Sequence, residues 1–383
     1  MPETIRELSI ATVRAALPEP IVFGDWVMKH REFALVRVRA ESGLEGFGFT
    51  LTREGAVAAT IRQSISHHYV GTSFSSRADI EQTFYRCQGS NLGGLASGIG
   101  LRGLSIVDLA VHDLMARSEG LSIARYLGGE PRAMPATAII GYPPAATPPD
   151  AVREQVRGLR ERGWTRFKIP IALPLEYGRD RLLAARDAAG EDAWVGMDAA
   201  WIFREVDDAV AFLDSVRDAR LGWFEDVFPP GDAAIVADLR ARAGGIRIAM
   251  GDEQGGSYYP EALLLRKAVD VVRIDLTCMG GITRARPMIE ACERADTEFS
   301  AHMFAHVHSQ VFGALGYTDV PIEWGVPGSG VDQFADSLRQ PVIREGRMDP
   351  LAEAPGFGPL VNAAWIASED VDDPDGLVRS LTG

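Results

Sequence analysis

Seven polar residues each close a short apolar run: Lys168 ends RFK, Asp198 ends WVGMD, Glu225 ends WFE, Asp252 ends IAMGD, Asp275 ends VVRID, His302 ends EFSAH and Glu323 ends VPIE. Successive members are 30, 27, 27, 23, 27 and 21 residues apart. That is one strand, loop and helix per step, so in a barrel of parallel strands all seven side chains point into one mouth, where barrel chemistry is done.

Asp198, Glu225 and Asp252 come from three consecutive runs and crowd three carboxylates together. Like-charge repulsion makes such a cluster costly unless a cation resolves it. Hard, all-oxygen ligands with room for water and substrate oxygens suit Mg²⁺ better than zinc. Singly, each carboxylate could instead cap the helix that follows it. Glu253 is a rival to Asp252 as third ligand; Asp252 is preferred because it directly follows the apolar run and Gly251. Asp275 and His302 end adjacent runs, and a carboxylate accepting a hydrogen bond from one imidazole nitrogen would leave the other as a general base. The bland alternative is a buried histidine satisfied by a cap or a backbone carbonyl. His306 and His308 could be drawn with His302 as a zinc site, but strand-end and following-helix positions point apart.

The elements that must position these residues follow from the apolar pattern. From about residue 133 eight runs (ATAIIGY, RFKIP, AWVGMDA, LGWFED, IRIAMGDE, VDVVRIDL, EFSAHM and VPIEW) alternate with amphipathic stretches such as Val152, Val156 and Leu159. Strands alternating with helices predict parallel βαβ units, and eight strands fit a closed barrel. Ahead of it, to about residue 125, FALVRVRA and LEGFGFT read as two strands around a turn, and Leu104, Val107, Val111 and Leu114 share a helix face, giving an α+β unit. The division read from the sequence is 1–125, a barrel over 126–345, and a tail over 346–383 packing back on the first unit.

Composition narrows the partners. A chain of 383 residues with 46% hydrophobic content has a sizeable core available. Its net charge of -14 argues against a nucleic-acid or acidic-membrane partner, leaving an anionic small substrate possible only beside a local cation. The three cysteines, Cys87, Cys278 and Cys292, suggest neither a disulfide framework nor a thiolate zinc site. No leader or bilayer-spanning run is evident, so the expected compartment is the cytoplasm.

Taken together, GWTRFKIP, VGMDAAW, WFEDVFPP, IAMGDEQ, VVRIDLTCMGGIT, SAHMF and PIEWG resemble, in order and spacing, the mandelate racemase and muconate lactonizing branch of the enolase superfamily. The resemblance covers nearly the whole chain. It implies an α+β capping domain, a modified TIM barrel of (β/α)₇β type, and Mg²⁺ held by the positions matching Asp198, Glu225 and Asp252. It also implies Asp275 orienting His302, Lys168 contacting the substrate carboxylate, and Glu323 hydrogen-bonding an oxygen of that carboxylate. The implied chemistry is removal of the proton α to a carboxylate, with charge developing where the metal and Glu323 stand. Relatives are commonly oligomers of identical subunits. By the same resemblance, the loops around PIVFGDWVMKH and GFTLTRE close over the barrel mouth, making Asp25, Trp26 and Arg53 candidate specificity contacts.

Three positions depart from the commonest pattern. Ala200 stands where asparagine is frequent, and Asp252 where close relatives often carry glutamate. Most consequential is Pro170, which replaces the second lysine of the family's KxK motif. Direct proton exchange at one carbon needs an acceptor on one face and a donor on the other, and proline supplies neither. A two-base racemase is therefore disfavoured. Dehydration of a β-hydroxy acid can run from the histidine side alone, which resembles the acid-sugar dehydratases of the family, the rhamnonate type among them. The expected reaction is a sugar acid to a 2-keto-3-deoxy acid, with an epimerase, racemase or cycloisomerase as the alternative.

Overall fold

The computed structural model describes residues 2–23, 26–52, 55–251, 253, 256, 258–326, 342–350, 354–358 and 362–382. Three long strands open the chain: β1 (Glu3–Phe23), β2 (Trp26–Ala40) and β3 (Glu45–Thr52), joined antiparallel. A short β4 (Ser73–Phe74) pairs with the start of β1. The helix Gly98–Ser118 packs over this sheet with Leu104, Val107, Val111 and Leu114 all buried. Its approach is close enough that a Cβ on Gly48 would stand 1.9 Å from the Ile106 carbonyl oxygen, so only glycine fits there.

Eight strands then follow in parallel: β5 (Met134–Ile139), β6 (Arg166–Pro170), β7 (Trp194–Asp198), β8 (Phe224–Glu225), β9 (Ile248–Met250), β10 (Val271–Ile274), β11 (Glu298–Ala301) and β12 (Ile322–Gly325). They are the eight apolar runs read from the sequence. Each pairs with the next from β5 to β11, β12 pairs with β5, and the Ala301 N–H donates to the Pro321 carbonyl across the remaining seam, so the barrel closes. Seven helices, from Pro149–Glu161 to Ala305–Ala314, alternate with the strands. The architecture is thus an α+β unit ahead of a (β/α)₇β barrel.

The tail returns to the opening sheet. After the hairpin of β13 (Ile343–Arg344) and β14 (Arg347–Met348), which adds to β5, strand β15 (Asp370–Asp372) pairs antiparallel with β1 at Val13↔Val371. Asp113 of the helix Gly98–Ser118 accepts from both the Phe47 and Phe357 amides, at 2.9 and 2.7 Å, and so stitches β3 and the tail to one helix. The opening unit is docked on the barrel mouth through buried polar contacts: Asp108 accepts from the Thr283 hydroxyl at 2.6 Å, and Ser105 from the Gly280 amide at 2.8 Å. Among the described residues no helix is long and apolar enough to cross a membrane.

Candidate active site

Strand alternation decides which side chains enter the barrel. On β6 it sends Arg166, Lys168 and Pro170 inward while Phe167 and Ile169 are buried on the other side; on β7 it sends Trp194, Gly196 and Asp198 inward. The floor is aromatic: Trp194 and Trp223 meet edge to face at 4.6 Å, with Arg166 4.2 Å above the Trp194 ring and Arg273 5.1 Å from Trp223. Gly196 makes room for that floor, because a Cβ there would stand 2.3 Å from the Trp194 ring.

Above the floor lies a buried layer of charge. Lys168 Nζ donates to Glu225 Oε1 at 2.6 Å and lies 2.7 Å from Glu323 Oε1. Arg273, fully buried, places Nε 3.2 Å from Glu225 Oε2, pairs with Glu323, and donates to the Ser300 hydroxyl at 2.8 Å. Burial works against the charge on Glu323, but Arg273, Lys168 and His302 outweigh it and hold the carboxyl well below its usual range. The sequence reading did not single out Arg273. Its signal was available: it lies two residues before Asp275 on one strand, hence on the same inward face.

Asp198 pairs in register with Glu225 on the neighbouring strand and accepts from the Ala200 amide at 2.8 Å. Burial raises its pKa to about 6, Lys168 opposing and Glu225 reinforcing the rise. Glu225 Oε2 accepts no hydrogen bond among the described residues. Two adjacent, hard oxygen donors, one of them with its charge disfavoured and one with an oxygen that is ion-paired to Arg273 at 3.2 Å but accepts no hydrogen bond, suit a divalent cation. The other sequence candidate for this cluster, Asp252, lies outside the described residues, and among those described no group of three His, Cys, Asp or Glu side chains converges to hold a metal. The rival Glu253 has its backbone carbonyl bound by Arg102 at 2.9 Å and its side chain 3.9 Å from the same guanidinium.

On the far side of the mouth His302 Nδ1 is 3.0 Å from Asp275 Oδ2. The other carboxylate oxygen accepts from the Thr277 amide and hydroxyl, both at 2.7 Å. Thr277 in turn shares a 2.8 Å hydrogen bond with Thr50 on β3, so a continuous chain runs from the opening unit through Thr277 and Asp275 to His302. Burial opposes the Asp275 charge, yet the His302 hydrogen bond and charge, with His308 and Thr277, hold its pKa below the ordinary value. His308 does not face the mouth: Nε2 accepts the Leu276 amide at 3.0 Å and Nδ1 meets the Met303 carbonyl at 2.8 Å, pinning the two loops that carry the dyad. His306 packs on Trp324, 5.3 Å between ring centroids. The three histidines therefore do not gather around a point.

An inner cavity of about 60 Å³ joins these groups, lined by Lys168, Asp198 and His302 below and by Phe23, Trp26 and Arg31 of the opening unit above. Lys168 and His302 thus face one space from opposite strands. Asp25 and Arg53 lie outside the described residues. A parallel (β/α)₇β barrel with acids, a lysine and a histidine at its strand ends, capped by an α+β unit, defines an enzyme of the enolase fold class.

Comparison with known proteins fixes the family. The family described as mandelate racemase / muconate lactonizing enzyme, N-terminal domain, matches residues 5–128, and the enolase C-terminal domain-like family matches residues 151–365. The chain belongs to the mandelate racemase / muconate lactonizing enzyme family. It is 26% identical over 385 residues to a D-galactonate dehydratase family member of Streptomyces sp. (strain SPB78), covering 89% of this chain and 84% of the relative. It is 25% identical to the D-galactarolactone cycloisomerase of Agrobacterium fabrum, covering 96% and 100%. A racemase from Streptomyces coelicolor A3(2), solved with bound magnesium, superposes with a TM-score of 0.84 at 19% identity, covering 95% and 99%.

Proposed function

We propose that the protein dehydrates a sugar acid to a 2-keto-3-deoxy acid, with His302 as the base, Asp275 orienting it and Mg²⁺ as cofactor. The observation that carries the reading is the asymmetry of the mouth. His302 is backed by a carboxylate at 3.0 Å, while on the opposite strand the position of a second base is Pro170 and the one lysine present donates to Glu225. With Nδ1 committed to Asp275, the other ring nitrogen of His302 takes the α-proton, and as imidazolium protonates the β-hydroxyl as it leaves. One C–H and one C–O bond break, water departs, and the enol formed tautomerises to the 2-keto acid.

Asp198 and Glu225, with Asp252 as third ligand, would hold the metal, which supplies a Lewis acid for the negative charge that develops on the substrate carboxylate. Lys168 binds the substrate carboxylate, and Glu323, on taking up a proton, donates a hydrogen bond to one of its oxygens, with Arg273 and Lys168 holding the Glu323 side chain in place. The relatives named as a galactonate dehydratase family member and a galactarolactone cycloisomerase support a sugar-derived acid as substrate. The alternative, an epimerase, racemase or cycloisomerase, finds no second base beyond Lys168 among the described residues of the mouth.

The test is a sugar-acid library screened for 2-keto acid formation with and without Mg²⁺. Mg²⁺-dependent product from at least one acid is the expected result. Exchange of the α-proton for deuterium with no water lost, across every acid that exchanges, would overturn dehydration in favour of isomerisation.

A further inference from the structure

Directly after Asp198 the backbone takes an expensive path. Ala200 and Trp201 both adopt the left-handed region, with φ of 48° and 57°, which side chains larger than glycine's rarely occupy. Three bonds enforce it: Asp198 accepts the Ala200 amide at 2.8 Å, the Asp226 carbonyl accepts the Trp201 amide at 2.7 Å, and the Val227 carbonyl accepts the Phe203 amide at 3.2 Å. The result carries the Trp201 ring back over the mouth, where it lines both the inner cavity and a larger outer one of about 1260 Å³.

There it meets the opening unit. Trp26 lies 6.5 Å from Trp201, centroid to centroid, and Phe23 stacks on Trp26 at 5.8 Å, from the two ends of the β1–β2 connection. Trp26 also lines both cavities, so the pair stands between the large outer space and the catalytic one. The Trp201 Nε1–H is buried and has no hydrogen-bond partner among the described residues. Trp223 and Trp324 share that property, but neither lines either of these two cavities. A buried donor without an acceptor is disfavoured unless something supplies one. Flat aromatic rings suit the C–H faces of a polyhydroxy chain, and the idle donor suits one of its oxygens.

We propose that Trp201 is a specificity-determining residue: Trp26 and Trp201 close on the carbon chain of the substrate, and the Trp201 indole N–H donates to one of its hydroxyls. This rests on the sugar-acid reading above. It assigns the strained turn after Asp198 a purpose, since that turn precedes and carries the ring that meets Trp26.

The experiment follows the indole N–H signals of the ¹⁵N-labelled, Mg²⁺-supplemented protein while D-galactonate and L-rhamnonate are added, with Trp201→Phe and Trp26→Phe assigning the two peaks among seven tryptophans. The proposal expects both peaks to move with either acid, Trp201 downfield as its N–H gains an acceptor. It also expects Trp201→Phe, which keeps a flat, smaller aromatic ring and loses the donor, to weaken binding about 2- to 12-fold with kcat within about twofold. Unchanged dispersion of the remaining indole peaks verifies that the variant is folded. A shift of Trp26 alone, or Trp201→Phe binding as tightly as wild type, overturns the proposal and leaves the sugar-acid reading standing. No movement of either peak with any acid overturns both.

Discussion

Replacing Arg273 with methionine removes a buried cation at nearly constant volume, and the structure fixes what is lost. Glu225 loses a guanidinium at 3.2 Å, Glu323 loses its ion pair, Ser300 loses a donor at 2.8 Å, and the Trp223 ring loses a cation at 5.1 Å. Lys168 then remains to offset two buried carboxylates. Breaking a buried ion pair from one side costs about 3–5 kcal/mol. An unfolding entropy of about 2.1 cal/mol/K per residue over this chain makes 4 kcal/mol roughly a 5 °C fall in Tm. The loss carries a pH signature. In the native protein the Glu323 carboxyl is held below its ordinary pKa, so it contributes stability above the unfolded value that is lost as pH falls through the folded one. Arg273→Met removes the chief cause of that depression, so the gap between variant and wild type is widest near pH 7 and narrows toward pH 3. Chemical denaturation of both proteins with metal chelated, at pH 7 and at pH 3–4, reads this directly. A gap below about 1 kcal/mol at pH 7, or one that does not change with pH, would refute the charge-layer argument.

Other consequences are as concrete. Asp275→Asn denies His302 its carboxylate partner, and kcat should fall about 10²- to 10⁴-fold with KM little changed in steady-state assays. Gly196→Ala drives a methyl into the Trp194 ring, which Trp223 and Arg166 hold in place; a loss of about 1–3 kcal/mol should appear as a lower denaturation midpoint at unchanged slope. Asp108, fully buried, has its carboxyl pushed up to about 7 by burial, against the hydrogen bonds from Thr283. A raised carboxyl binds a proton in the native state that the unfolded chain releases, so wild-type stability falls as pH rises from about 4 to 7. Asp108→Asn should flatten that slope, the balance shifting toward the variant by on the order of 3 kcal/mol across the window in denaturation series.

Much of this molecule could be read before its fold was seen, because barrel strands announce themselves twice. Each is a short apolar run, and each carries near its end a polar residue that reaches the mouth. Lys168, Asp198, Glu225, Asp275, His302 and Glu323 all follow that rule, and the structure gathers them at one end of the barrel. What escaped were residues whose position depends on something other than strand ends. Arg273 lies inside an apolar run, where its charge reads as an interruption until the two-residue alternation with Asp275 is noticed. Trp201 reaches the cavity through two left-handed backbone residues, a conformation no composition rule anticipates for Ala-Trp. Thr50, which reaches the dyad through Thr277, is 227 residues away from it in sequence, a distance that only packing closes.

The account stands on His302 acting as the base from one side of the mouth. The most direct measurement is the rate of 2-keto acid formation from the sugar acid identified in the screen, with saturating Mg²⁺, for wild type and His302→Asn. A fall of at least about 10²-fold in kcat, in a variant with wild-type unfolding behaviour, is the result predicted. Dehydration by His302→Asn at the wild-type rate would contradict it.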